Sequence, residues 1–101
     1  MMKDNILCKP MTCCVLRKLG MQLELGTTSI HEASDFLLDR YDVHIQPEMY
    51  VKHNVGIIWK ATIFYKENGK VVMGDTIDMC ATRNDAITSA IEFTLKKYIL
   101  C

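Results

Sequence analysis

The apolar residues of this chain recur in two rhythms, one helical and one alternating, and their order along the sequence outlines a fold. Val15, Leu16 and Leu19 lie at helical spacing, which predicts a short helix over 11–19. Thr12 is placed to cap it. Arg17 and Lys18 fall in its last turn, where the negative end of the helix dipole favours cations, and Gly20 supplies a left-handed stop. Residues 1–10 read as a flexible N-terminal arm ending at Pro10. The rest, 11–101, reads as a single domain.

A second helix is announced by Ser29-Ile30-His31-Glu32, which has the form of a capping box. Ile30, Ala33, Phe36, Leu37 and Tyr41 then form an apolar stripe, and Asp42 ends the helix. The rhythm next changes to alternation. Val43-His44-Ile45-Gln46 reads as a half-buried strand closed by Pro47, which cannot donate to a ladder. Glu48 to Asn54 reads as a polar loop with Tyr50 and Val51 as partial anchors.

Gly56 to Tyr65 is rich in β-branched and aromatic residues and predicts a strand. Glu67-Asn68-Gly69 followed by Lys70-Val71-Val72-Met73 predicts a hairpin. A two-residue Asn-Gly turn would set Tyr65 opposite Val72 and join unlike faces. A three-residue turn sets Tyr65 opposite Val71, Ile63 opposite Met73 and Trp59 opposite Ile77, so this register is expected, with a bulge beside Gly74 to accommodate Asp75. Thr82 and Asp85 open a last helix, whose inner face is Ala86, Ile87, Ala90, Ile91, Thr94 and Tyr98.

The predicted fold class is therefore α+β: a short N-terminal helix, then α-β-β-β-α, with a three-stranded antiparallel sheet and two helices packed on one face. The other face would carry Ile58, Lys60, Thr62, Phe64, Val72, Thr76 and Asp78. Ile58, Lys60, Phe64 and Val72 form the candidate interaction face, for a second copy or another protein. Equally, the N-terminal helix or arm could fold over it.

Composition narrows the function classes. The chain has 101 residues, half of them hydrophobic, with 12 basic and 12 acidic side chains and a formal net charge of zero. That balance argues against a protein whose main task is gripping bare nucleic acid. It also removes the self-repulsion that keeps copies apart, so a homodimer is a natural expectation. No apolar run reaches the roughly 20 residues of a membrane span, and no signal peptide is evident. The five cysteines, Cys8, Cys13, Cys14, Cys80 and Cys101, show no disulfide-framework spacing, which points to free thiols in a reducing cytoplasm.

Chemistry-bearing motifs are sparse. Cys8, Cys13 and Cys14 with His31, His44 and His53 lack the paired ligand spacing of zinc sites. Cys80 near a helix start has no histidine close in sequence. Asp75 with Asp78, and Asp35 with Asp39, are carboxylate pairs of a kind common on solvated faces. The five glycines form no phosphate loop. The expectation is a non-enzymatic protein with no catalytic, metal or cofactor site.

Over residues 29–100 the order helix, three antiparallel strands, helix resembles the double-stranded RNA-binding domain. That resemblance implies RNA contacts from the first helix, the loop between the first two strands and the start of the last helix. Here the matching positions are Lys52, His53 and Arg83. The loop lacks the family's Gly-Pro-x-His pattern, and Asp85 stands where lysines are usual. Over residues 11–100 the layout also resembles small uncharacterised proteins of bacteriophages and of prophages in Bacteroides-type bacteria. The shared marks are Leu19-Gly20, Glu32-Ala33, Val43-His44-Ile45, Trp59 and Asp85-Ala86. That resemblance implies a phage-type accessory protein of unknown activity.

Overall fold

A computed structural model describes residues 7–23 and 26–100. The chain folds in the order α1 (Pro10–Lys18), α2 (Ile30–Tyr41), β1 (His44–Lys52), β2 (Gly56–Glu67), β3 (Lys70–Cys80) and α3 (Arg83–Thr94), followed by a π-helical turn, Leu95–Ile99. The strands form one antiparallel sheet in the order β1-β2-β3. It is an α+β fold, as the periodicities predict.

The local signals explain the element ends. Pro10 occupies the first turn of α1, where its missing N–H costs nothing, and Lys9 is the N-cap. Thr12 is therefore not a cap; it is buried inside the helix with Cys13 and Leu16. At the other end, the Gly20 N–H donates to the Arg17 carbonyl and the Met21 N–H to the Leu16 carbonyl, the two bonds of a Schellman stop. Gly20 takes φ +106°, as that stop requires. In α2 the Ser29 hydroxyl accepts from the Glu32 N–H at 3.1 Å, while the Glu32 carboxylate turns to the Thr28 hydroxyl. Asp42 closes the helix in the left-handed region. The Thr82 hydroxyl accepts from the Asp85 N–H at 3.0 Å, which starts α3 as expected.

Residues 7–10 are docked, not an arm. Leu7 bridges to Ser29, the Cys8 N–H donates to the Thr28 carbonyl at 2.9 Å, and Cys8 is buried. Residues 1–6 of the expected arm lie outside the described residues.

The first strand runs further than Pro47 suggests. β1 continues to Lys52, with Pro47 opposite Ala61 and Val51 opposite Ile57. The physical reason is position. β1 is an edge strand, so the absent N–H of Pro47 can face away from β2 without breaking a ladder bond. The expected loop over 48–54 is mostly strand, and the turn is confined to the residues between Lys52 and Gly56.

The β2–β3 register also differs from expectation. Glu67 pairs with Lys70 and Tyr65 with Val72, so the turn is the two-residue Asn68-Gly69 pair, both at positive φ. The mismatch of faces is repaired within β3. Two registry shifts place Gly74 and Asp75 together opposite Ile63, and Asp78 and Met79 together opposite Lys60. Val72 and Ile77 are an odd number of residues apart, so a regular strand would send them to opposite faces. The bulge at Gly74 brings both to the helix side, where Ile77 meets Ala61. The second bulge does the same for Cys80 opposite Trp59, with Met79 at φ +59°.

The core lies between sheet and helices. α3 packs across all three strands and α2 packs on β1 and α3. Leu16, Ile30, Leu37, Ile63 and Ile91 are fully buried at its centre. Ala33, Ala61, Ala86 and Ala90 are equally buried, and their small size lets the helices approach each other and the sheet. α1 joins this core through Cys13 and Leu16. Its end is tied to α2 by Arg40, which donates to the Leu19 carbonyl at 3.2 Å.

Candidate interaction surfaces

Among the described residues, no element covers the second face of the sheet. Register assigns it His44, Gln46, Glu48 and Tyr50 from β1, Ile58, Lys60, Thr62, Phe64 and Lys66 from β2, and Val71, Met73, Thr76 and Asp78 from β3. Most of these are polar and bond to one another. The Tyr50 hydroxyl donates to Asp78 Oδ1 at 2.6 Å, spanning from one edge strand to the other. Ile58 and Lys60 of the central strand lie under that span. Lys60 Nζ sits 5.5 Å from the Tyr50 ring centroid and 3.8 Å from Glu48. The hydrogen bond from Tyr50 and the backbone N–H of Met79 hold the Asp78 carboxyl below its usual range, and the same hydrogen bond raises the Tyr50 hydroxyl.

The four residues of the predicted interaction face do not form one strip. Ile58 is only 7% exposed. Lys60 is engaged with Tyr50 and Glu48. Phe64 is half-buried, with the His44 ring 6.3 Å away. Val72 belongs to the helix side, as the partner of Tyr65, because the turn has two residues and not three. Its place beside Phe64 and Lys66 is taken by Met73 and Val71, both exposed.

A larger apolar patch lies at the opposite end and on the opposite face. There the β1–β2 hairpin extends past the helices. Register pairs Met49 with Trp59 and Val51 with Ile57 on the helix side, and Val55 stands in the turn. Met49 is 55% exposed, Val51 74%, Val55 55% and Ile57 58%. Reading Pro47 as the end of the strand hid this patch. The signal was present: Ile45, Pro47, Met49 and Val51 continue the alternation without a break.

The residues implied by the RNA-binding resemblance sit at this same end of the sheet. Lys52 Nζ lies 3.7 Å from Met79 Sδ, which places the β1–β2 turn beside the approach to α3 and Arg83. His53 is exposed in the turn. The first turn of α3 also holds Asp85, which opposes phosphate.

The residues weighed for chemistry are scattered. Among the described residues no group of three metal-ligating side chains comes together. His31, His44 and His53 are each exposed, on α2, β1 and the first turn. Asp75 and Asp78 are separated by the sheet: Asp78 meets Tyr50 on the open face, while Asp75 takes Lys97 at 2.9 Å and the Tyr98 hydroxyl on the helix side. Burial, with Asp85 and Asp78 nearby, raises the Cys80 thiol, the opposite of an activated thiolate. Burial pushes Cys8 up to about 11, helped by Cys13 and Glu92.

No helix among the described residues is long and apolar enough to cross a membrane. Compared with known families, curated proteins and solved structures, the chain matches none of them.

Proposed function

We propose that the protein is a non-enzymatic interaction module, a phage-type accessory protein that pairs with a second copy of itself through the projecting β1–β2 hairpin. The observation that carries this reading is the patch of Met49, Val51 and Ile57 on one face of one hairpin, with Val55 exposed in its turn, four large apolar side chains left in solvent. Its fit is to another apolar ribbon, because the charged neighbours Glu48 and Lys52 point to the other side of the strand. A second copy offers such a ribbon through a two-fold contact. The zero net charge opposes that contact with no long-range repulsion.

The sheet edges support a facial contact over an edge contact. Pro47 interrupts the free edge of β1, and two bulges distort the free edge of β3. Both are devices that discourage strand addition. The test is Val51→Asp combined with Ile57→Asp. Both residues are already more than half exposed. The double variant is expected to keep its circular dichroism spectrum and cooperative melting while losing association. Association that survives it would move the interface elsewhere, first to Phe64, Val71 and Met73.

A second reading is nucleic-acid contact of the RNA-binding-domain kind. It is favoured by one observation, the placement of Lys52 and the start of α3 at the same sheet end. Binding to duplex RNA should then weaken steeply with salt and further with Lys52→Glu and Arg83→Glu. Absence of salt-dependent binding by the wild-type protein ends this reading.

A further inference from the structure

We infer that the groove between α1 and the C-terminal π-helical turn is a binding site for an aliphatic carboxylate, a short acyl chain with an anionic head. The groove has a volume of about 340 Å³ and is lined by Lys9, Met11, Thr12, Val15, Glu92, Leu95, Lys96 and Leu100. That volume falls in the usual span of small-molecule sites, about 300–1,000 Å³.

The backbone builds this groove in a specific way. The Leu100 N–H donates to the Leu95 carbonyl at 2.9 Å, an i to i+5 bond, so the last helical turn is widened. Such turns are common where a helix ends, and this one sets which side chains face α1. Here the widened turn splits its residues. Lys97 and Tyr98 face β3 and grip Asp75, while Leu95, Lys96 and Leu100 face α1. Opposite them, α1 offers Met11 and Val15. Met11 is 81% exposed and Leu100 54%, which leaves apolar walls open to solvent around the buried Leu95.

The charges select the head group. Lys9 Nζ lies 3.3 Å from Glu92 Oε2 in an ion pair that leaves the lysine 68% exposed, and that buried oxygen accepts no hydrogen bond. Lys96 has no ion pair among the described residues. The rim therefore carries two cations against one anion, and its surplus is the Lys96 ammonium. An anionic head on Lys96, with its chain along Met11, Val15, Leu95 and Leu100, matches both the charge and the apolar lining.

The test uses decanoate below its micellar range, with decanol and decyltrimethylammonium as controls, followed by isothermal titration and by amide chemical shifts. Decanoate is expected to saturate at one per chain and to shift the amides of α1 and residues 95–100. Lys96→Glu should weaken it by about tenfold or more. Met11→Glu, at a position too exposed to be needed for folding, should do the same with melting unchanged. Absence of saturable binding would overturn the proposal. So would equal binding of the three probes, or decanoate binding indifferent to both variants.

Discussion

The hydroxyl of Tyr50 on the first strand donates to Asp78 on the third at 2.6 Å, so one side chain ties both edges of the sheet together across the central strand. This bond replaces a covering layer over Ile58 and ends the face in a polar clasp. The bulge at Asp78–Met79 makes it possible, since it turns Asp78 toward Tyr50 and supplies the Met79 N–H as a second donor to Asp78 Oδ1 at 2.6 Å.

The clasp has a defined pH window. Asp78 has its carboxyl lowered by the hydrogen bond, so its stabilisation is present above the ordinary carboxylate range and is lost as pH falls through the lowered value. Tyr50 is raised by the same bond, so its part is present below the ordinary tyrosine value and is lost as pH rises through the raised one. Tyr50→Phe should lower the melting temperature near neutral pH. The gap to wild type should close as the pH falls below the ordinary carboxylate range and through the lowered value of Asp78. A gap of constant size across acid titration, measured by thermal circular dichroism, would contradict the assignment.

Gly74 should tolerate no side chain. A Cβ there would stand 2.5 Å from the Tyr98 hydroxyl and 3.0 Å from the Ile63 carbonyl oxygen, although its φ is ordinary. The glycine is needed for close approach: Tyr98 enters over it to bond with Asp75. Gly74→Ala is expected to cost about 1–3 kcal/mol in urea unfolding, the usual range for overpacking. A neutral result would mean that Tyr98 can move aside freely.

The thiols should separate by burial. Cys14 is exposed on α1, while Cys8 and Cys13 are buried and Cys8 is pushed up to about 11. Timed alkylation near pH 8 with peptide mapping should label Cys14 quickly, and Cys8 and Cys13 only as the domain opens. Cys8 labelled as fast as Cys14 would show that residues 7–10 are not docked.

Much of this fold is legible in the sequence, for physical reasons that also explain the misses. Helix ends depend on local chemistry, so Ser29, Thr82, Gly20 and Asp42 are read correctly. The order of helices and strands follows from the change of period after Tyr41. What fails depends on neighbours in space. Pro47 stops a central strand and is tolerated on an edge, and the sequence does not say which strand is the edge. The Asn68-Gly69 turn is the favoured hairpin chemistry, yet the face pattern of β3 argues against it until the bulges at Gly74 and Met79 are known. The first bulge is signalled by Gly74 and Asp75, whereas the second has no glycine to announce it. The candidate site shifted for the same reasons. A strand ended too early hid Met49 and Val51, and a register set by unbroken alternation put Val72 on the wrong face. The π-helical turn leaves no mark in the residue pattern, so the groove beside it was not visible.

The central claim, a module that pairs through its projecting hairpin, is tested most directly by light scattering of the reduced protein across a dilution series. The expected mass is roughly twice 11.6 kDa when concentrated, falling toward 11.6 kDa on dilution, with Val51→Asp/Ile57→Asp held at the lower value throughout. A wild-type protein that stays at the monomer mass at every concentration would contradict the claim and leave the hairpin patch without its proposed occupant.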